Sequence, residues 1–289
     1  MGTGKDLIMK TEEPGKKHPG WYRLDNAAII YPSIQSERIT TMFRFSATLC
    51  EKVDPSALQA ALTRVIHRFP YYKVKLNRGL FWYYLEHNPK TPKVEKDVRY
   101  PNGRLSPLMN RNFLFRVRFY NQRISVEFCH VLTDGTGGVT FLKALLYEYL
   151  KETGKNLTDS TGILTIDQEP DPGEFEDAYQ RFYKPALPLP ESGESAFHLR
   201  GKLVKKGIYL VLCGIVPLKD ILAEAKKRQV SLTVLLTAVY IDALQTIQNN
   251  YVKNPRRKKP IAVQVPVNMR NIYPSKTMRN FSLFVIPRI

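Results

Sequence analysis

The stretch FCHVLTDGTGG, Phe128 to Gly138, holds the side chains best suited to chemistry in this chain. His130 stands four residues before Asp134, which opens a glycine-rich turn. An imidazole with its ordinary pKa of about 6.5 is largely neutral at neutral pH and free to take a proton. The preceding residues, RISVEFC from Arg123, read as a strand in which Ile124, Val126, Phe128 and His130 share one face and Ser125, Glu127 and Cys129 the other. Cys129 and His130 then point apart, which argues against a thiol–imidazole dyad and leaves Cys129 as a small buried filler. His130 falls at the C-terminal end of that strand, where the chain leaves the sheet and side chains can meet ligands. Residue chemistry alone favours a plainer reading over a general base: a satisfied core histidine and an ordinary Asp-Gly turn.

The elements that must position these residues follow from periodicity. TTMFRFSATLC from Thr40, LFWYYLEH from Leu80, FLFRVRFY from Phe113 and RISVEFCH from Arg123 predict strands, the last two joined in a tight hairpin across Asn121 and Gln122. Asp54 caps a predicted helix with Pro55 at its first position and Leu58, Ala61, Leu62, Val65 and Phe69 on one apolar stripe, ended by Pro70. A second helix is expected over 137–152, with Val139, Leu142, Leu146 and Tyr149 inward and Gly154 as its stop. Gly137 and Gly138 are read as letting that helix start close to the sheet; without a P-loop lysine the cluster is weak evidence for phosphate binding. Further on, GIYLVLCGIV predicts a buried strand, Pro217 opens a helix with Leu218, Ile221, Leu222 and Ala225 in register, Ser231 caps another, and IAVQVPVN returns to strand. Strands and helices mix without regular alternation, so an α+β or mixed-sheet fold is favoured over a doubly wound parallel sheet. The expected organisation is a polar tail over 1–20, a first lobe over 21–155, an acidic then Pro/Ser-rich interdomain linker over 156–200, and a second lobe over 201–289.

Composition narrows the function classes. At 289 residues, 43% hydrophobic, the chain can bury a sizeable core. Lys and Arg total 44 against 26 acidic residues, a formal charge of +18 that suits phosphates or other acidic partners without choosing among them. The basic run KNPRRKK at 253–259 lies between a helix and a strand, outside any recognisable nucleic-acid module, and reads as a solvated loop. Cys50, Cys129 and Cys213 are odd in number and lack a CxxC pair, so neither a disulfide framework nor a metal site is expected and a reducing, cytoplasmic setting fits. The N-terminus lacks an apolar signal core and carries Asp6 where a myristoylation signal wants Ser or Thr; the longest apolar run, IYLVLCGIVPL, is too short to span a membrane.

His130-Val-Leu-Thr-Asp134-Gly135 matches the HxxxDG signature of the chloramphenicol acetyltransferase-like superfamily, which includes plant BAHD acyltransferases, alcohol acetyltransferases and the condensation domains of peptide synthetases. WYRLDNAAIIYPS from Trp21, LFWYYLEHN from Leu80, RISVEFCHVLTDGTGG from Arg123 and VPVNMRNIYPSKTMRNFSLFV from Val265 resemble its bacterial alcohol acetyltransferase-like branch, in family order. The resemblance implies a two-lobed α+β enzyme with His130 as general base at the lobe interface. The base would take the proton of an acceptor alcohol or amine as that atom attacks the thioester of an acyl-CoA, with acetyl expected. Acyl-CoA is then a cosubstrate rather than a bound cofactor, and its contacts are unassigned. Asp134 would be structural, paired with Arg270 of VNMR from the second lobe, and Gly135 would permit the tight turn behind the motif. Asn280 and Ser282 stay open between oxyanion donors and ordinary strand-edge polar residues. Cys129 stands where condensation domains carry a second histidine, which favours the CoA-dependent branch; the plant DFGWG motif is absent. Members of the family are longer, so much of the second lobe's counterpart is expected to be missing. That leaves two rival readings: a catalytically silent remnant acting as a binding module, and a basic nucleic-acid-binding protein.

Overall fold

The structure, a computed structural model, describes residues 20–36, 38–105, 110–185 and 193–289. The polar tail expected over 1–20, Gly20 aside, and most of PALPLPESGES lie outside the described residues. In chain order the elements are β1 (Trp21–Arg23), α1 (Tyr31–Ile34), β2 (Met42–Thr48), α2 (Pro55–Arg68), β3 (Val74–Arg78), β4 (Tyr83–His87), β5 (Val94–Lys96), β6 (Phe115–Tyr120), β7 (Arg123–Cys129), α3 (Gly135–Glu152), α4 (Ala178–Arg181), α5 (Leu218–Lys227), α6 (Leu232–Tyr251), β8 (Val265–Asn268) and β9 (Ser282–Val285).

The sheet that carries the motif runs β2-β7-β6-β5, antiparallel except for the parallel pair β5–β6, so β7 is an interior strand. Asn121 turns the β6–β7 hairpin at a φ of 49°, a left-handed conformation that Asn tolerates well. One face of the sheet is aromatic and aliphatic. Phe115 and Phe128 meet Phe141 of α3 edge-on at centroid distances of 5.3 and 5.6 Å, and Leu58, Ala61, Leu62, Val65 and Ile66 of α2 join the same core. Asp54 caps α2, its Oδ1 accepting from Ser56 N at 2.7 Å, with Pro55 at the first helical position. The other face is ionic: buried Glu127 accepts from Arg44 Nε at 2.8 Å, from Arg116 and from Asn102 N at 2.9 Å, while Asp97 holds Arg44 through two bonds of 2.6 and 2.9 Å. Burial pushes the Glu127 carboxyl upward, but Arg116, Asn102 N and Arg44 outweigh it and hold it below the ordinary range. A separate sheet, β1-β4-β3, and the pair β8–β9 complete the strand set among the described residues.

Several expectations give way to the packing. LFWYYLEH becomes strand only from Tyr83: Gly79 N donates to Trp82 O at 2.7 Å, and residues 79–82 form the loop joining β3 to β4, with Leu80 and Phe81 exposed. Helix α3 turns Phe141, Leu142, Leu145 and Tyr149 fully inward and leaves Val139 and Leu146 half-buried, and its first turn lies close against Phe43 and Phe45 at Gly138. GIYLVLCGIV forms no strand. Main-chain N–H and C=O groups of a strand need a neighbour to pair with, and no described strand runs beside residues 208–217; Leu212 and Ile215 are 96% and 99% exposed. Within the 156–200 stretch, the acidic part carries a buried ion pair. Glu174 is buried and takes Arg68 Nη1 and Nη2, each at 2.7 Å, and Tyr71 Oη at 2.8 Å.

Candidate active site

Position of His130 follows from β7. Strand pairing with β2 ends at Cys129, opposite Met42, and His130 N then donates to Thr41 O at 2.9 Å, which keeps the residue at the sheet's rim. Its ring is half-buried and packs on two aromatic neighbours: Phe43, with centroids 4.4 Å apart, and Tyr31, stacked at 5.1 Å with planes 19° apart. Burial pushes the imidazole pKa below its ordinary value, opposed by the Asp134 carboxylate. Nδ1 is buried without a hydrogen-bond partner among the described residues. Cys129 points elsewhere: it is buried, its Sγ lies 3.3 Å from Thr41 Oγ1, and burial pushes the thiol up. A thiol so held is a poor nucleophile.

Asp134 is occupied by donors other than the imidazole. Oδ1 caps α3 by accepting from Thr136 N at 3.1 Å and Gly137 N at 3.4 Å; Oδ2 accepts from Arg270 Nη1 and Phe281 N, both at 2.8 Å. Arg270 in turn donates to the main chain of its own segment, with Nε and Nη2 on Thr277 O at 3.1 and 2.8 Å and Nη2 on Arg279 O at 2.7 Å. The Asp134 and Arg270 side chains are only 6% and 10% exposed, so the ion pair is shielded from water. Residues 268–281 are thereby tied to the start of α3. Thr133 Oγ1 and Tyr72 Oη add bonds to Met278 O at 2.6 and 2.9 Å.

Gly135 stands apart from its expected role. It opens α3, and a Cβ there would meet only Phe45 at 3.7 Å, an ordinary contact. The need for glycine falls on Gly137, where a Cβ would run into Thr133 Oγ1, Tyr72 Oη and Met278 O.

Two residues outside the motif brace His130: Asn280, whose role the sequence left open, and Asp25, to which it assigned none. Asn280 Nδ2 donates to His130 O at 2.9 Å and to Asp25 Oδ2 at 3.0 Å. Asp25, fully buried, also accepts from Ala28 N at 2.8 Å and lies 3.7 Å from Arg279 Nε; burial pushes its carboxyl up despite Arg279 and Asn280. Asn280 therefore spends its amide on bracing. The one signal for this network is that Asp25 and Tyr31 share the block WYRLDNAAIIYPS; nothing in the spacing joins Asp25 to a residue so far along the chain. Among the described residues there is no group of three or more His, Cys, Asp or Glu placed to hold a metal ion. No single described helix is long and apolar enough to cross a membrane; α5 and α6 reach that length only together, across an 87° bend.

No protein-family model matches the chain, and no curated protein sequence does. Solved structures do. Vinorine synthase superposes with a TM-score of 0.56 at 15% identity over 96% of this chain and 68% of its own. Polyketide synthase associated protein 5 from Mycobacterium tuberculosis gives 0.56 at 15% over 92% and 67%. TRI101 of F. sporotrichioides, complexed with coenzyme A and T-2, gives 0.52 at 14% over 93% and 69%. The chain thus spans about two thirds of the length of each. At such identities the likeness is one of fold, and it is the fold to which the HxxxDG block points: the chain has the mixed-sheet α+β fold of the chloramphenicol acetyltransferase-like acyltransferases.

Proposed function

We propose that this protein transfers an acyl group, acetyl in the first instance, from acyl-CoA to an alcohol or amine, with His130 as general base. In this reaction the neutral imidazole takes the acceptor's O–H or N–H proton as that atom attacks the thioester carbonyl. The tetrahedral intermediate then expels the CoA thiolate, which recovers the proton from the imidazolium. A thioester is activated already, so a base without a carboxylate relay suffices. The observation that carries the reading is that Asp134, the carboxylate of the motif, is consumed by Arg270, Phe281 N and the cap of α3 and makes no bond to His130. A Ser-His-Asp relay would need that carboxylate on the imidazole. The coenzyme A complex of TRI101, alike in fold, supports acyl-CoA as the cosubstrate. Free Cys50 and Cys213, both exposed, fit a reducing cytoplasmic setting.

The test is thiol release from acetyl-CoA in the presence of a panel of alcohols and amines. His130→Ala is expected to lower kcat/KM by about 10²–10⁴-fold, the usual worth of a placed base, with the melting temperature retained. A rate unchanged by the substitution removes His130 as base. Because burial depresses the imidazole pKa, the neutral base persists below the ordinary value. The acid limb of kcat/KM should therefore fall at a pH below about 6.5.

A further inference from the structure

Helix α1 raises a question of its own. None of its residues is fully buried, and its neighbours Ile29 and Ile30 are exposed; Ala28 in the preceding turn is in the core and Tyr31 packs at the core's edge, so core packing accounts for only part of how this segment is held in place. What it does is lay the Tyr31 ring on His130, at 5.1 Å and 19°. The segment is anchored through Asp25, which accepts from Ala28 N at 2.8 Å through its side chain and from Ile29 N at 3.3 Å through its carbonyl; Tyr31 N then donates to Ala28 O at 3.3 Å. That same Asp25 carboxylate holds Asn280, which holds His130 O. One buried carboxylate thus fixes both the main chain of His130 and the ring that covers its side chain. Tyr31 makes no hydrogen bond through its phenol among the described residues, so its ring rather than its hydroxyl is the part in use.

We propose that Tyr31 is a positioning residue for His130, whose ring, laid against the imidazole, fixes the orientation of the base and shields it from water. This rests on the reading of His130 as a general base. Stacked rings of this kind contribute about 0.5–1.5 kcal/mol beyond the area they bury, enough to select one ring orientation over its alternatives. Shielding also accounts for the direction of the imidazole's shift, since burial is its main cause. The titratable groups that act on the Tyr31–His130 pair or share its neighbours are Asp25 in the turn before α1, Cys129 at the end of β7, Asp134 at the start of α3 and Tyr179 on α4, with Arg270 and Arg279 paired to Asp134 and Asp25. Of these Asp134 acts on the imidazole's charge, and it opposes the shift.

The experiment is an NMR titration of His130 in the full chain, with its signals identified among the five histidines by comparison with His130→Ala. Tyr31→Ala is expected to raise the His130 pKa toward about 6.5, and Tyr31→Phe, which keeps the ring, to leave it in place. Both should fold, with the wild-type melting temperature kept by Tyr31→Phe and only slightly lowered in Tyr31→Ala, as Tyr31 is only partly buried at the core's edge. With acetyl-CoA and an accepted alcohol, kcat of Tyr31→Ala should fall by roughly 10²-fold, the cost of a misplaced reacting group, while the KM for acetyl-CoA holds. An unmoved titration in Tyr31→Ala overturns the proposal, as does an equal shift in Tyr31→Phe. Loss of folding in Tyr31→Ala also overturns it, since the role would then be structural. The titration needs no turnover, so a protein inactive toward every acceptor would discredit the acyl-transfer reading while leaving the contact between Tyr31 and His130 decided on its own.

Discussion

Helices α2 and α5 carry the same kind of message in sequence, a proline at the start and an apolar stripe at helical spacing, yet they end in opposite surroundings. On α2 the stripe Leu58, Ala61, Leu62 and Val65 is wholly buried between α3 and a four-stranded sheet. On α5 only Ala225 of Leu218, Ile221, Leu222 and Ala225 is buried; Leu218 is 64% exposed and Leu222 45%. Neighbouring α6 buries just Ile241 and Gln248 among its described side chains, and the later sheet, β8–β9, has two strands. A stripe specifies which face of a helix is apolar. Whether that face contributes stability depends on what the rest of the chain lays against it, at about 25 cal/mol per Å² of apolar surface removed from water. The chain's C-terminal portion divides accordingly. Residues 268–281 are tied to Asp134, Tyr72 and His130 through Arg270, Met278 and Asn280, whereas 208–251 expose apolar side chains.

That contrast can be broken or sharpened by substitution. The largest effect should come from Arg270→Ala, which leaves the Asp134 carboxylate charged and shielded at the start of α3; removing one partner of a buried pair costs about 3–5 kcal/mol. Lys276→Ala, in the same segment but in an exposed pair with Asp171, should leave the melting temperature unchanged. Equal melting temperatures for Arg270→Ala and wild type would mean that the 268–281 segment is not anchored through this pair. Next, Leu62→Ala on α2 is expected to cost about 2–5 kcal/mol in urea denaturation, and Leu222→Ala on α5 no more than about 0.5 kcal/mol. Comparable losses at the two sites would show that α5 is covered in solution and would erase the distinction. The smallest effect expected is at the glycines. Gly137→Ala forces a Cβ against Thr133, Tyr72 and Met278 and should destabilise by about 1–3 kcal/mol, while Gly135→Ala, with only Phe45 at 3.7 Å, should be neutral or slightly stabilising. If the order reversed, the tight place at the motif would lie in its turn rather than in the helix that follows.

What the sequence by itself determined is local. Alternation set β2, β6 and β7, Asn121 with Gln122 set the hairpin, and Asp54 with Pro55 set the start of α2, because each signal acts between residues a few positions apart. The HxxxDG block marked His130 and Asp134, and its resemblance suggested Arg270 as the partner that the structure finds beside Asp134. The tertiary structure decided everything that depends on a distant neighbour. GIYLVLCGIV has a strand's composition and forms none, since a strand exists only beside another. Asp25 has no assigned role in the sequence; Asn280, far along the chain, reaches it and His130 together. Tyr31 is one aromatic among many until the fold lays it on the imidazole. Asp134, expected from the resemblance to pair with Arg270, meets four donors, two from its own helix and two from 268–281, that use both of its oxygens. A carboxylate's role is set by which donors surround it, and three-dimensional packing alone brings those donors together.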